Sequence, residues 1–220
     1  QLHRRQRQMC IRDRFVNVNR IFKEGRTDQY DIVILLTDLS GSKEMERLEY
    51  LAHHDPLTGL ANRAKFHQQL DVLLDQSGYL RDEFALLYLD LDGFKAVNDT
   101  YGHDAGDEVL SVISRRLSGL TRHDDLVARL SGDEFVYLMT PTNQTEVTKF
   151  VEKIIKCVSQ PIEYKGAQLT VGVSIGVKLV GHNEKDASRV LKNADNAMYE
   201  AKRAGKGQAV LIGAELEGTV

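Results

Sequence analysis

Residues 84–95 read Phe-Ala-Leu-Leu-Tyr-Leu-Asp-Leu-Asp-Gly-Phe-Lys. The first six form a short, continuous apolar run, which is typical of a strand that is buried on both faces. Two carboxylates and a glycine, within Asp90-Leu91-Asp92-Gly93, follow where the strand ends and a helix begins. In α/β sheets a ligand crevice lies at this end of a buried strand. The stretch therefore predicts a central strand with an acidic binding site at its carboxyl end.

The sequence on both sides of this strand alternates between helical and strand-like hydrophobic patterns. The helical patterns cover 62–74, 109–120, 147–158 and 190–201, and the strand patterns cover 126–130, 135–139, 169–179 and 210–212. Apolar residues alternate strictly from Leu169 to Leu179, which predicts one long strand with a single buried face. We expect an α/β (α+β) fold, with a mixed central sheet flanked by helices, over residues 55–213, and a tail at 214–220.

Residues 1–54 follow a different organisation. Residues 1–14 show no helical or strand period, so we interpret them as an unstructured or non-native tail. A strand–turn–strand pattern covers 15–41. A polar helix with one narrow apolar stripe follows at 42–54, with Ser42 as its cap, and such a stripe is typical of a coiled coil. The stripe consists of Met45, Leu48, Leu51 and Ala52.

The composition limits the function classes. The chain has 220 residues, enough for one main core, and its hydrophobic share of 42% and charged share of 28% are those of a globular protein. The net charge of −3 argues against a broad nucleic-acid surface, and no apolar run approaches the roughly 18 residues of a membrane span. Cys10 and Cys157 are far apart and match no metal spacing, which indicates a reducing compartment. We therefore expect a cytoplasmic protein with no nucleic-acid partner and no membrane span in this chain.

A second acidic stretch lies between two predicted strands, where residues 131–135 read Ser-Gly-Asp-Glu-Phe. Gly132 permits the backbone angles of a tight hairpin turn. If these strands neighbour the first, three or four carboxylates converge, and such a cluster requires a cation. Oxygen ligands without His or Cys favour Mg²⁺ or Mn²⁺ over zinc. Alternatively, both acidic stretches are solvated turns.

The stretch Ser131 to Phe135 resembles the signature of the GGDEF family of diguanylate cyclases, with Ser in place of the first Gly. Three further blocks, at residues 55–63, 90–107 and 194–202, resemble the family at matching spacing, so that the resemblance covers about residues 51–207. It implies a palm-like core related to nucleotidyl cyclases. It also implies a bacterial homodimer that joins two GTP molecules into cyclic di-GMP with loss of two pyrophosphates.

The resemblance implies a role for each matching residue. Mg²⁺ or Mn²⁺ is held by Asp90, the main-chain carbonyl of Leu91, Asp133 and Glu134, of which Asp133 and Glu134 are also the catalytic residues. The implied substrate-binding residues are Gly93, Phe94 and Lys95 for phosphate, Asn98 and Asp107 for guanine, His103 near the nucleotide, and Lys202 and Lys206 for phosphate. At Lys206 the family more often has Arg, and at Gly207 it usually has Asn.

Two more segments resemble parts of this family. Arg122 and Asp125, five residues before the signature, match an inhibitory site, so the resemblance implies cyclic di-GMP as an allosteric inhibitor as well as the product. Residues 15–41 resemble the C-terminal end of a PAS sensor domain. Two other readings are a degenerate GGDEF domain that binds GTP or cyclic di-GMP as an effector, and a class III cyclase, which would not explain the inhibitory motif.

Overall fold

The computed structural model describes residues 6–11, 14–22, 30–38, 40–80, 83–181 and 184–213, and within them the side chains at 45, 47–75, 83–181 and 184–213. The chain divides into two compact units, residues 1–51 and 52–220.

The first unit contains an antiparallel sheet of three strands, β1 (Gln6–Ile11), β2 (Arg14–Phe22) and β3 (Tyr30–Asp38), in that order. The predicted strand–turn–strand pattern is present as β2 and β3, while its turn lies outside the described residues. We expected residues 1–14 to be an unstructured or non-native tail, but residues 6–11 pair with β2, with Met9 opposite Val16. Backbone pairing creates this strand, so its side-chain pattern shows no period. The resemblance of 15–41 to a PAS domain stays a prediction.

Helix α1 (Ser40–His53) follows these strands. It begins two residues before the predicted cap, so Ser42 lies inside its first turn instead of preceding it. The stripe residues Met45, Leu48 and Leu51 and the neighbouring Tyr50 are exposed. A helix with exposed apolar residues at this spacing has a face that another surface can cover.

The second unit is built on a sheet of five strands: β4 (Phe84–Asp92), β5 (Leu126–Ser131), β6 (Glu134–Met139), β9 (Gly172–Val180) and β10 (Ala209–Ile212). Their spatial order is β10-β9-β4-β6-β5, so β4 is central, as predicted. β4 is antiparallel to β6 and β9, whereas β10 is parallel to β9, which makes the sheet mixed. A separate hairpin contains β7 (Ile162–Tyr164) and β8 (Ala167–Leu169).

Helices cover both faces of this sheet. α2 (Arg63–Leu80) and α6 (Ala187–Arg203) pack on one face, and α3 (Phe94–Tyr101), α4 (His103–Ser118) and α5 (Gln144–Val158) contribute to the core on the other. Leu86 and Tyr88 of β4 belong to the first core, and Leu87 and Leu89 to the second. The predicted fold class is therefore confirmed. In the described part of the chain, no helix combines the length and the apolar character that a membrane span requires.

The prediction of one long strand with a single buried face at 169–179 is wrong. The strand is interrupted between β8 and β9, and β9 is buried along nearly its whole length on both faces. The residues between its apolar positions include Ser174 and Gly176, which are small enough to lie beneath α6. The alternation also includes Lys178, which is fully buried and forms an ion pair of 3.0 Å with Glu184. A face that looks polar in sequence is thus covered by a helix.

Gly176 is the position where α6 approaches β9 most closely, because a Cβ atom there would overlap the main chain of Ala194 and Met198. We expect Gly176→Ala to lower the free energy of unfolding by about 3 kcal/mol, since the helix backbone must shift. Urea denaturation measures this change. Gly119→Ala is the matched control: its Cβ would lie 3.5 Å from Arg115 O at a helical φ of −67°, so no loss is expected. Equal stability of the two variants would contradict this packing.

Candidate active site

The register between β4 and β6 brings the two acidic stretches together. Asp90 of β4 is the cross-strand partner of Glu134 of β6. The main-chain N–H of Leu91 donates to the carbonyl oxygen of Asp133 at 3.3 Å. The strands carrying the two acidic stretches are therefore neighbours, which was the condition for a common site.

The signature turn is a tight connection in which only Gly132 and Asp133 lie between β5 and β6. Gly132 has a φ of +46°, in the left-handed region that favours glycine. Ser131 belongs to β5 and pairs with Glu134, so it does not occupy the left-handed position. Its Oγ donates a 2.7 Å hydrogen bond to Glu134 Oε2. The serine at this position therefore fits the turn without strain and gives the Glu134 carboxylate a fixed partner.

A cavity of about 430 Å³ lies beside the end of β4. Its lining consists of Asp90, Leu91, Asp92, Gly93, Phe94, Lys95, Ala96, Asp99, Asp133, Lys202 and Lys206. Eight of these are among the predicted site residues; Asp92, Ala96 and Asp99 are not. The predicted residues Asn98, His103, Asp107 and Glu134 do not line this cavity.

Asp90 is a mostly buried carboxylate of the cavity. Its side chain is 13% exposed, and Oδ2 lies 2.7 Å from Lys202 Nζ of α6. Burial raises the pKa of Asp90, the hydrogen bond from Lys202 opposes this rise, and the charge of Asp133 adds to it. The Asp90 and Asp133 carboxylates repel each other, and Lys202 is one cation that offsets this repulsion. A second cation beside the two carboxylates would reduce it further.

The remaining acidic side chains have other partners. Asp92 accepts hydrogen bonds from Ser174 Oγ, at 2.9 Å to Oδ1 and 2.8 Å to Oδ2, and from the N–H of Gly207 at 3.0 Å. Among the described residues, no three His, Cys, Asp or Glu side chains are grouped so that they could hold a metal ion. Asp90, Asp92 and Asp133 nevertheless line one cavity, so the two acidic stretches do meet, and the metal site itself stays a prediction. The oxygen donors that remain are the carboxylates of Asp90 and Asp133 and the carbonyl of Leu91, a set that suits a hard divalent cation.

The cavity also contains the start of helix α3. Gly93 precedes it with a φ of +86°, a left-handed conformation that a side chain would strain. The amides of Phe94 and Lys95 open the helix, where no intrahelical acceptor is available to them. Because both residues line the cavity, these amides are placed where an anion could accept from them.

Asn98 of α3 carries an unsatisfied polar atom. Its Oδ1 is buried and has no hydrogen-bond partner within the part of the chain that is described. The carboxamide packs directly on Gly106 of α4, where a Cβ would overlap Oδ1 and lie 3.2 Å from Phe94 Cζ. Asp107, the next residue, and His103, the first residue of α4, are exposed. A buried acceptor without a partner is uncommon and indicates a missing donor.

Arg129 connects the signature turn to the loop at residues 55–60. Its Nη1 lies 3.0 Å from Asp55 Oδ1, and its Nε donates to the carbonyl oxygen of Gly132 at 2.9 Å. Asp55 Oδ1 also accepts from the N–H and the hydroxyl of Thr58, at 2.9 and 2.6 Å. An arginine within a strand that is otherwise mostly apolar was the available signal for this contact. His54 contacts the same loop, with its Nδ1 3.1 Å from Gly59 O.

The predicted inhibitory motif lies in the loop between α4 and β5. Arg122 is exposed, and its N–H donates to Asp125 Oδ2 at 3.1 Å. Asp125 also accepts from the Tyr137 hydroxyl at 3.4 Å and from the N–H of Thr140 at 3.2 Å. The Asp125 carboxylate is thus already part of the turn, whereas the Arg122 side chain reaches the surface.

The sequence model described as "Diguanylate cyclase, GGDEF domain" matches residues 52–208. The chain belongs to the GGDEF family. The chain is similar to the probable diguanylate cyclase DgcE of Escherichia coli, at 38% identity over 81% of this chain and 16% of DgcE. Proteins named as cyclic di-GMP phosphodiesterases also match. The chain spans 16–31% of the length of these three curated relatives.

Solved GGDEF domains share the fold. The GGDEF domain of TpbB from Pseudomonas aeruginosa is 40% identical and has a TM-score of 0.70, over 74% of this chain and 95% of that one. A structure of the coiled coil and GGDEF domain of DgcB from Caulobacter crescentus, in complex with cyclic di-GMP, is 27% identical. Its TM-score is 0.73, over 78% of this chain and 91% of that one.

The Asp55 contacts predict a pH-dependent contribution to stability. Burial raises the pKa of Asp55, but the hydrogen bonds from Thr58 and Arg129 outweigh it and hold the pKa below its usual value. Ionised Asp55 therefore stabilises the fold above pH 4, and this contribution is lost as the pH falls through the lowered pKa. We expect Asp55→Asn to cost about 1–2 kcal/mol at pH 7 and progressively less below pH 4.

Urea denaturation of the wild type and Asp55→Asn between pH 3 and pH 7 tests this expectation. Asp71→Asn, on the exposed side of α2, is the matched control and should not change the free energy of unfolding. A difference between wild type and Asp55→Asn that persists undiminished at pH 3 would show that the charge of Asp55 is not responsible.

Proposed function

We propose that this GGDEF domain is a diguanylate cyclase that condenses two GTP molecules into cyclic di-GMP and two pyrophosphates, with Mg²⁺ or Mn²⁺. The observation that carries the proposal is the pairing of Asp90 with Glu134 and the adjoining Asp133, beside a cavity that is also lined by three lysines. A degenerate effector domain would have no need to keep all three carboxylates.

Asp90, the carbonyl of Leu91, Asp133 and Glu134 would hold the divalent cation. When bound, the cation neutralises the triphosphate and stabilises the charge that develops on the reacting oxygens. The raised pKa of Asp90 supports this assignment, because burial and the Asp133 charge both make an additional cation favourable there.

The lysines and the main-chain amides of the cavity would contact the triphosphate directly. Lys202, Lys206 and the amides of Gly93, Phe94 and Lys95 would bind phosphate oxygens and fix the α-phosphate for attack. Glu134 would accept the proton of the attacking 3′-hydroxyl or hold a second metal ion. Its hydrogen bond from Ser131 fixes the orientation of its carboxylate for either role.

The unsatisfied Asn98 supports the choice of guanine. Guanine has adjacent N–H donors on its Watson–Crick edge, which oxygen acceptors recognise and adenine does not match. We propose that Asn98 Oδ1 and the Asp107 carboxylate accept from these donors, with His103 close to the nucleotide. A GTP molecule would then satisfy the buried Asn98 oxygen that lacks a partner.

Each domain would hold one GTP, so two copies must meet for product to form. The exposed stripe of α1 is the surface that we propose for this homodimer. We propose three segments for the chain. The end of a PAS-like sensor would cover residues 15–41, a coiled-coil linker would cover 42–54, and the catalytic domain would cover 55–213. The proposed substrate, GTP, is supplied in the cytoplasm, and the relatives are bacterial. Both points support a location in the bacterial cytoplasm.

Incubation of the purified chain with GTP and Mg²⁺, with product identification by mass spectrometry, tests the reaction. We expect cyclic di-GMP from the wild type and at least a 100-fold lower rate from Glu134→Gln, since the variant loses a base or a metal ligand. Glu152→Gln, an equivalent change at an exposed position of α5, is the matched control. If the wild type binds GTP but makes no dinucleotide, the effector role replaces the cyclase reaction.

We also propose that cyclic di-GMP inhibits its own synthesis by binding at Arg122 and Asp125. The strand β5 separates this motif from the signature turn, and its length at about 3.3 Å per residue gives a separation of roughly 20 Å. A ligand there cannot displace GTP, so inhibition would act by joining two domains in a non-productive arrangement.

Progress curves test the inhibitory site. Arg122→Ala is expected to raise the final product level and abolish tight cyclic di-GMP binding in calorimetry, because the exposed guanidinium is the main anion contact. The initial rate should change little. Arg115→Ala removes the same charge from an exposed position of α4 and should behave as the wild type. Identical progress curves for Arg122→Ala and the wild type would argue against product inhibition at this motif.

A further inference from the structure

We propose that Asp92 is a positioning residue for the triphosphate: through the amide of Gly207 it holds the loop that carries Lys206 beside the cavity. This inference rests on the proposed function, because a nucleoside triphosphate is the ligand that the loop would contact. Asp92 matches none of the roles that the family resemblance implies.

Asp92 is itself held in one orientation. It is half-buried at the end of β4, and both of its carboxylate oxygens accept from Ser174 Oγ of the neighbouring strand β9. Its cross-strand partner is Gly172, where a Cβ atom would lie 3.3 Å from Asp92 Cβ. Strand β9 thus holds Asp92 through Ser174, and Asp92 Oδ2 also accepts from the N–H of Gly207 at 3.0 Å.

The loop that contains Gly207 has an uncommon backbone. Gly205, Lys206 and Gly207 have φ values of +127°, +64° and +60°. Among the described residues, Lys206 is one of two non-glycine residues with a positive φ, a conformation that persists where the surroundings hold it. On the helix side the N–H of Lys206 donates to Ala201 O at 3.1 Å. On the sheet side Asp92 accepts from the N–H of Gly207, and the N–H of Ile175 donates to Gln208 O at 3.0 Å.

The two carboxylates of the Asp-Leu-Asp run therefore have separate tasks. Asp90 and Asp92 lie on the same face of β4, two residues apart. Asp90 pairs with Lys202 at one end of the 202–207 segment, and Asp92 binds Gly207 at the other. Ser174 and Gly207 donate to the Asp92 carboxylate, so the loop contact is the role that the structure gives to Asp92. Loss of Asp92 would leave the metal-binding oxygens intact and release Lys206.

A double-mutant cycle on GTP affinity tests this role. Equilibrium binding of GTP with Mg²⁺ is measured for the wild type, Asp92→Ala, Lys206→Ala and the double variant. We expect each single variant to bind about tenfold more weakly, and the double variant to bind no more weakly than Lys206→Ala, because Asp92 acts through Lys206. Binding of guanosine, which has no phosphate, should be the same in all four proteins.

Two variants separate positioning from general stability. Asp92→Asn keeps an oxygen acceptor for Gly207 and should restore most of the GTP affinity. Asp186→Ala removes the side-chain cap at the other end of α6, where Asp186 Oδ1 accepts from the N–H of Arg189 at 3.1 Å. It should lower stability and leave GTP binding unchanged. If Asp92→Ala does not fold, Ser174→Ala takes its place in the cycle, with a smaller expected loss.

Additive losses in the double variant, or wild-type GTP affinity in Asp92→Ala, would overturn the inference. The measurement requires no turnover. A wild-type chain that binds GTP without making product would therefore defeat the cyclase proposal alone, and the four affinities would still decide the role of Asp92.

Discussion

The antiparallel pairing of β4 with β6 is the constraint on which the site depends. It sets Asp90 opposite Glu134, and a slip of one residue would move every side chain of either strand to the opposite face. The slip is prevented by burial, because Phe135 and Tyr137 of β6 fill one core while Val136 and Leu138 fill the other. Packing of apolar side chains on two faces thereby determines which carboxylates meet at the end of the sheet.

The packing of α6 on the sheet also places the positively charged lysine side chains of the site. A glycine at position 176 lets α6 lie close to the sheet, and the last turn of this helix then delivers Lys202 to Asp90. The loop that follows returns Lys206 to the same cavity. A chain with a net charge of −3 can thus present local positive charge to an anionic ligand, because the sheet, helix and loop converge at one edge.

The signature turn is connected to the rest of the domain at both ends of its hairpin. Arg129 joins Gly132 to Asp55, which lies near the start of the second unit. At the far end of β6, the N–H of Thr140 donates to Asp125 of the predicted inhibitory loop. Two short strands therefore lie between the proposed catalytic and inhibitory residues, and hydrogen bonds hold each end of this hairpin in place.

Sequence patterns that span only a few residues were enough to predict the central strand, the helices around it and the family. The continuous run at 84–89 predicted the central strand, helical periodicity predicted the helices around it, and the Ser131–Phe135 signature predicted the family. These features depend on neighbours within a few residues, which a sequence displays directly. Strand β1, by contrast, exists only through pairing with β2, and the second buried face of β9 exists only because α6 covers it.

The side-chain partners within the site were decided by the tertiary structure. Ser174 and Gly207 are 82 and 115 residues from Asp92 in sequence, and no spacing rule connects them. Arg129 pairs with Asp55 at a separation of 74 residues, and Asn98 Oδ1 is buried where α3 packs on Gly106 of α4. Hydrophobic periodicity indicates which face of an element is buried, but it does not indicate which other element covers that face. The polar contacts of this site form between elements that meet only after the sheet is assembled.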